Sequence, residues 1–235
     1  MKKLSFLNLL LCTSLSYSEN INVHIFSGQS NTSGYGKFND ALEYTRIAAT
    51  DLQIRYYYHV DPTSRNWTST TFGTLYDFYL ANEESRLAGT GRWRFGAEVM
   101  YGRLMHEYDP SGTTAMIKVS QGSSSLATDW NSRLEGDNNW ELWQSEVTNA
   151  LSQLEAEGHT VNIASIIWVQ GENDAVFEDQ SAAYEVNFTN LIDDMYSFLN
   201  GLGYSTENTI FMNGSFSENK PRVSGRLLQL PKSML

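Results

Sequence analysis

The sequence predicts a single α/β domain, a three-layer α/β/α sandwich around a central, mainly parallel β-sheet. Short runs of Ile, Val and aromatic residues alternate along the chain with longer amphipathic runs. Strands separated by helices in this way form a parallel sheet that is covered on both faces. With 235 residues, of which 41% are hydrophobic, the chain can bury one sizeable core but is short for two.

The predicted strands are short and aliphatic, whereas the predicted helices repeat apolar residues at three- and four-residue spacing. The strands are expected at residues 23–27, 54–59, 115–120, 164–170 and 209–213. The helices are expected at residues 95–108, 140–157 and 181–200, and Gly201 and Gly203 end the last of them. The polar stretch 63–91, rich in Gly, Ser and Thr, is predicted to be a long surface loop.

The first 18 residues have the organisation of a secretory signal peptide. Lys2 and Lys3 precede a mostly apolar run at residues 4–15, and the small residues Ser16 and Ser18 follow it. Cleavage after residue 18 would also remove the only cysteine of the chain. A cysteine-free domain suits an oxidising compartment, so we expect a secreted or periplasmic location.

The charge balance excludes two classes of partner. The chain has 27 acidic and 16 basic residues and a net charge of −11, and loss of Lys2 and Lys3 would take this to −13. Nucleic acids and anionic membrane surfaces are bound by clustered cations, so we expect neither nucleic acid nor, after cleavage, a membrane as partner. One cysteine supports neither a disulfide framework nor a cysteine-based zinc site.

Three predicted strands are followed directly by polar or glycine-rich segments. These segments are GQSN at 28–31, SQGSSS at 120–125 and QGEND at 170–174. In open α/β sheets, ligands bind at the carboxyl ends of the strands, so these segments are candidates for a functional site. Each also has a plain structural explanation, namely a helix cap, a strand-to-loop turn and a solvated loop.

Together these segments resemble the SGNH hydrolase superfamily, and in particular the sialate O-acetylesterase and acetylxylan esterase type of carbohydrate esterase family 6. The blocks of that branch have counterparts here in the same order, from about residue 23 to 215. They are IFSGQSN at 25–31, FGAE at 95–98 with Ala97 in place of Pro, KVSQGSS at 118–124 with Ser123 in place of the second Gly, and WVQGEND at 168–174 with Asn173 in place of Ser. The resemblance implies an SGNH, flavodoxin-like sheet.

The resemblance also implies a role for each matched residue. Ser30 would be the nucleophile that an acetyl ester acylates. The oxyanion would be bound by the backbone N–H groups of Ser30 and Gly122 and by the side-chain amide of Gln170 or Asn173. The substrate would be an acetylated carbohydrate, and neither a metal nor an organic cofactor is expected. Five further residues would support the site: Gln29, Asn31, Glu98 and, as holders of the loop shape, Glu172 and Asp174.

A catalytic histidine is missing from the place where the resemblance implies one. In the family the base lies in an Asp-x-x-His block near the C-terminus, and none of the four histidines here has Asp three residues before it. His24 is expected to be structural, His106 to lie on a helix surface and His159 to lie in a turn. His59, at the end of a predicted strand, is the one candidate for a substitute base.

The end of the chain differs in charge from the rest. Residues 218–235 contain four basic residues and one acidic residue. We expect that the reading frame is truncated or shifted before the histidine block, with a surface tail as the alternative. The esterase domain is therefore expected at residues 19–217, followed by an atypical basic tail at 218–235. Without a base, ester hydrolysis would be slow or absent.

Three functions are compatible with these observations. The first is an exported carbohydrate O-acetylesterase that acts on sialate or xylan esters through Ser30. The second is a non-catalytic glycan-binding domain on the same scaffold, with tryptophans stacked on sugar faces unless they pack in the core or at its rim. The third is a lipase or thioesterase of the wider superfamily, which the polar loops disfavour. The tryptophans considered for sugar stacking are Trp67, Trp93, Trp130 and Trp140.

Overall fold

A seven-stranded, mainly parallel β-sheet forms the centre of the protein. The computed structural model describes residues 18–34, 49–60, 67–78, 95–110, 112–136 and 138–214. The predicted signal peptide up to residue 17, the basic tail and parts of the predicted loop at 63–91 lie outside these residues. The predicted fold class is confirmed, because strands and helices alternate along the described chain.

All five predicted strands are present, with ends that differ by a few residues, and two short strands join them. In chain order the strands are β1 (Asn20–Gly28), β2 (Ile54–Val60), β3 (Trp67–Thr68), β4 (Gly73–Thr74), β5 (Thr113–Ser120), β6 (Thr160–Val169) and β7 (Ile210–Asn213).

All three predicted helices are also present, and a one-turn helix follows β1. The helices whose two ends both lie within the described residues are α1 (Ser30–Ser33), α2 (Glu98–Tyr108), α3 (Asn139–Ala156) and α4 (Glu178–Gly201), with 3₁₀ turns at Ala49–Gln53 and Asp174–Val176. Helix α3 begins at a side-chain cap, since Asn138 accepts a hydrogen bond from the N–H of Glu141 at 3.1 Å. Among the described helices, none has the length and apolar character that crossing a membrane requires.

The strand order places the candidate segments next to one another. The order is β3-β2-β5-β1-β6-β7, and β4 also pairs with β2. Strands β3 and β4 run antiparallel to β2, whereas β2, β5, β1, β6 and β7 are parallel. Gly28, the last residue of β1, is in register with Ser120 of β5 and Val169 of β6. These three strands therefore end level at one edge of the sheet, which we call the carboxyl edge.

Two hydrophobic cores lie on opposite faces of the sheet. The larger packs α3 and α4 against one face and includes Ile25 of β1. The smaller packs Val99 of α2 against Phe26 and Met116 on the other face. Neighbouring side chains on a strand point to opposite faces, so Ile25 and Phe26 enter different cores. Helices on both faces give the three layers.

The predicted surface loop at 63–91 is wrong for residues 67–78. Strands β3 and β4 lie within this stretch and pair with β2. Leu75 and Phe78, three residues apart, are buried in the smaller core, where the Phe78 ring packs edge-on against Tyr56. These two apolar side chains anchor a stretch that is polar in average composition, whereas the other described residues of 67–78 stay partly or fully exposed.

Candidate active site

The register of the sheet brings the three candidate segments together at the carboxyl edge. Ser30 lies two residues beyond the end of β1, Gly122 lies two residues beyond β5, and Gln170 directly follows β6. Because β1 lies between β5 and β6 and the three strands end level, these segments are neighbours in space. Ser30 and Gly122 are half-buried, so both face the accessible side of this edge.

The turn that carries Ser30 requires a glycine at its start. Gly28 has a φ of 137°, and a Cβ atom there would lie 2.2 Å from the carbonyl oxygen of Val169. The next residue, Gln29, donates its N–H to the same carbonyl at 3.0 Å. The chain therefore leaves β1 in close contact with the end of β6, and Ser30 begins α1 immediately afterwards.

Gln29 connects this turn to the loop that follows β6. Its buried side-chain carbonyl accepts long hydrogen bonds from the N–H groups of Gly171 and Asn173, both at 3.4 Å. Its amide group donates to the carboxylate of Glu172, which also accepts from the amide of Asn31. Residues 29 and 31 flank Ser30, so both sides of the serine turn are attached to residues 171–173.

Asp174 connects the same loop to the segment that contains Gly122. Its fully buried carboxylate accepts hydrogen bonds from the N–H groups of Leu126 and Ala127, both at 2.8 Å, and from the side-chain amide of Gln170. Hydrogen bonds to a carboxylate are stronger than neutral ones, so this group is a firm anchor. Asp174 therefore attaches the loop after β6 to the loop after β5.

The two predicted amide donors for the oxyanion differ in availability. The amide nitrogen of Gln170 donates to Asp174 and to the carbonyl of Ser124 at 3.0 Å, and the residue is 1% exposed. Both of its N–H bonds are therefore used within the fold. The side chain of Asn173 is half-buried at the carboxyl edge and makes no hydrogen bond within the described part of the chain. Of the two, Asn173 has the available amide.

The loop after β5 adopts a conformation that usually belongs to glycine. Ser123 has a φ of 58°, and among the described non-glycine residues it is the one with positive φ. This is the position at which the resemblance has a second Gly. The next residue, Ser124, donates to the carbonyl of Gln121 at 2.7 Å and accepts from the indole N–H of Trp130 at 2.8 Å. Local hydrogen bonds thus hold the loop in a shape that is strained at Ser123.

Glu98 lies beside Lys118, a residue that the sequence reasoning did not select. The two side chains are each 1% exposed, and their charged atoms lie 3.0 Å apart. A lysine within an aliphatic strand of a parallel sheet is the signal that would have identified it, since such strands are buried on both faces. The pair lies beneath α1, because Lys118 also donates to the carbonyl of Ser33 at 2.9 Å.

The structure does not bring any of the four histidines to Ser30. His24 is buried in β1, bonded to Ser165 at 2.8 Å, and burial lowers its pKa to about 4, as a structural role requires. His59 lies two strands from β1, roughly 10 Å away at the usual strand spacing. It contacts Glu146 of α3 at 3.0 Å, so it is held against that helix. His106 lies on α2, and His159 precedes β6 at the opposite edge.

The tryptophans predicted as alternative sugar contacts are core residues where the structure describes them. Trp130 is fully buried and packs edge-on against Trp168, and Trp140 is 8% exposed and stacks on Trp143. For these two the alternative of core packing holds and not sugar stacking, because their rings fill the larger core. Trp93 and the side chain of Trp67 lie outside the described residues.

Comparison with known proteins assigns the family. The family described as carbohydrate esterase, sialic acid-specific acetylesterase, matches residues 20–202. The chain belongs to this family. The match begins at β1 and ends just after α4, so it contains every segment of the carboxyl edge described above. No protein of curated function matches the sequence.

Solved structures similar to this member of the sialic acid-specific acetylesterase family have low sequence identity to it. NanS has a TM-score of 0.55 and 14% identity, over 86% of this chain and 69% of its own. A protein from Arabidopsis thaliana has a TM-score of 0.49 and 14% identity, over 82% and 85%. A carbohydrate acetylesterase from Xanthomonas citri has a TM-score of 0.46 and 15% identity, over 80% and 40%. The likeness to NanS concerns the fold.

Family membership supports a carbohydrate acetylesterase of the sialate-esterase type, with an acetylated carbohydrate as substrate class. It agrees with the resemblance drawn from the sequence blocks. It does not favour a lipase or thioesterase of the wider superfamily.

Proposed function

We propose that the protein removes acetyl groups from an acetylated sugar through an acyl-enzyme on Ser30. The main support for this proposal is that Ser30, Gly122 and Asn173 all lie at the carboxyl edge, on segments that are neighbours in space. The chain also belongs to an acetylesterase family. We also propose that residues 1–18 direct export, so that the enzyme acts in a secreted or periplasmic location.

In the proposed reaction, the Ser30 oxygen attacks the acetyl carbonyl, the ester C–O bond breaks, and the sugar leaves as an alcohol to which the serine proton passes through water. A second water molecule then hydrolyses the acetyl-Ser30 ester, which releases acetate and restores the hydroxyl. The negative charge of the tetrahedral intermediate is bound by the backbone N–H groups of Ser30 and Gly122 and by the amide of Asn173. Asn173 is preferred to Gln170 because both N–H bonds of Gln170 are used inside the fold. A single well-aimed donor of this kind is worth about 3 kcal/mol of barrier.

The proposed activity is weak, because no described residue at the carboxyl edge is placed to accept the proton of Ser30. A serine hydroxyl is a poor nucleophile without a base. We expect slow turnover, supported by the bonds that attach the loop after β6 to Gln29 and, through Asp174, to the loop after β5.

The test is acetate release by the purified chain from 4-nitrophenyl acetate, O-acetyl sialic acid and acetylated xylan. The variants are Ser30→Ala and, as a matched control, Ser145→Ala, which removes an exposed hydroxyl on α3. We expect the parent and Ser145→Ala to release acetate at the same rate and Ser30→Ala to fall to the uncatalysed rate. Equal rates for the parent and Ser30→Ala would refute the proposal.

The second candidate function is glycan binding without hydrolysis, and the placement of all four histidines away from Ser30 favours it. Titration of the same acetylated sugars into the parent and into Ser30→Ala separates the two candidates. Saturable binding of equal affinity, with no acetate released by either protein, would support this second function.

A further inference from the structure

A buried lysine lies beneath the end of helix α1, which begins at Ser30. Lys118 of β5 lies with its Nζ atom 3.0 Å from Oε2 of Glu98 and donates to the carbonyl of Ser33 at 2.9 Å. The lysine and glutamate side chains are each 1% exposed. Buried charges carry a desolvation cost that close pairing must offset. The pair therefore joins three segments of the chain: α1, α2 and β5.

The charge of Lys118 is supported by Glu98. Burial lowers the pKa of the Lys118 ammonium group, and the carboxylate of Glu98 opposes that shift. The second oxygen of Glu98 accepts the N–H of Gly96 at 3.0 Å. Gly96 in turn packs directly on the end of α1, since a Cβ atom on Gly34 would lie 2.5 Å from its nitrogen. The ion pair and this backbone contact therefore both stabilise the C-terminal end of α1.

Helix α1 needs such external support because it has only one turn. It comprises Ser30–Ser33 and is closed by the hydrogen bond from the N–H of Gly34 to the carbonyl of Ser30 at 3.0 Å. Helices this short are not stable in isolation. Its last turn contains no basic residue, and the cation that contacts the carbonyl of Ser33 is instead Lys118 of β5.

We propose that the Lys118–Glu98 pair positions Ser30 by holding the end of α1 against β5 and α2. The proposal rests on the proposed nucleophilic role of Ser30. Neither side chain contacts the reacting atoms, because both are buried beneath the turn, so they act as positioning residues. Loss of the pair is therefore expected to lower kcat and leave KM unchanged.

The main test replaces both charges together, in the double variant Lys118→Met with Glu98→Leu. Replacement of a buried ion pair by apolar residues of similar volume commonly preserves the fold. We expect a Tm close to that of the parent, a kcat reduced about 10- to 100-fold and an unchanged KM. We also expect faster hydrogen–deuterium exchange in the peptide 28–34. A double variant with parental kcat and parental exchange would overturn the proposal.

If the double variant does not fold, Glu98→Gln decides the question instead. Glutamine keeps an acceptor for the N–H of Gly96 but removes the charge that faces Lys118. We expect a several-fold fall in kcat and faster exchange in the peptide 28–34. Parental values of both would contradict the proposal.

The matched control is a second buried ion pair at the other end of the sheet. Arg103 of α2 makes two hydrogen bonds to Asp51, at 2.8 and 2.7 Å, and the side chains are 11% and 0% exposed. Asp51 lies just before β2, at the amino ends of the strands. The double variant Arg103→Met with Asp51→Leu is expected to keep the parental kcat and the parental exchange of the peptide 28–34.

The two readouts separate failure of this proposal from failure of the proposed function. If the parent does not exceed Ser30→Ala in acetate release, the nucleophilic role fails. The exchange measurement then decides whether the pair holds α1. If the parent does exceed Ser30→Ala, unchanged kcat and exchange in the double variant would refute the positioning role alone.

Discussion

Acidification is expected to weaken the fold through His24. This side chain is 5% exposed on β1, where Nδ1 contacts the hydroxyl groups of Ser165 at 2.8 Å and Tyr101 at 3.1 Å. Burial lowers its pKa from 6.5 to about 4. Below pH 6.5 His24 becomes protonated in the unfolded chain, whereas in the folded chain it stays neutral down to about pH 4. The free energy of unfolding therefore falls as the pH is lowered through this window.

The size of the effect follows from the shift. A difference between pKa 6.5 and about 4, at about 1.4 kcal/mol per unit, corresponds to about 3 kcal/mol of stability lost between pH 7 and pH 4. Domains of this kind have total stabilities of roughly 5–15 kcal/mol, so the loss would be large. Replacement His24→Asn keeps a polar atom near Ser165 but removes the titrating ring.

The assay is urea unfolding of the parent and His24→Asn at a series of pH values, followed by the fluorescence of the buried tryptophans. Glu146 and Glu157 have lowered pKa values and titrate in both proteins, so their contribution cancels in the comparison. Between pH 7 and pH 4 the parent is expected to lose about 3 kcal/mol more than His24→Asn. Parallel pH profiles for the two proteins would refute the argument.

Two further substitutions test the loops of the carboxyl edge. Ser123→Gly is expected to raise Tm by roughly 2–4 °C, since relief of the strained φ outweighs the added backbone freedom by up to about 1 kcal/mol. Thermal unfolding checks this, and a lower Tm would contradict it. Asp174→Asn is expected to cost about 3 kcal/mol in urea unfolding, because its NH₂ group would face the N–H of either Leu126 or Ala127 and leave that donor without an acceptor. Parental stability of the Asp174→Asn variant would show that this carboxylate is not an anchor.

Much of the fold follows from periodic burial, which a sequence displays directly. The run at 181–200 predicts one buried helix face, and α4 buries its apolar residues on that face. The aliphatic runs predict the strands, and the register at Gly28 confirms that β1, β5 and β6 end together. The prediction of a surface loop at 63–91 is wrong at Leu75 and Phe78, because these two apolar side chains are buried although the stretch is polar on average.

In the candidate site, too, some features are predictable from the sequence and others are set only by packing. The order of strands and polar segments is enough to predict which segments meet, because parallel strands share one carboxyl edge and their polar ends therefore converge. The polar contacts within the fold are not predictable from the same pattern. They are the bonds of Gln170 to Asp174 and Ser124, the pairing of Lys118 with Glu98, and the contact of His59 with Glu146. Apolar burial follows a local period along one element. The choice of a hydrogen-bond or charge partner depends on distances of about 3 Å between elements far apart in the chain, which packing alone sets.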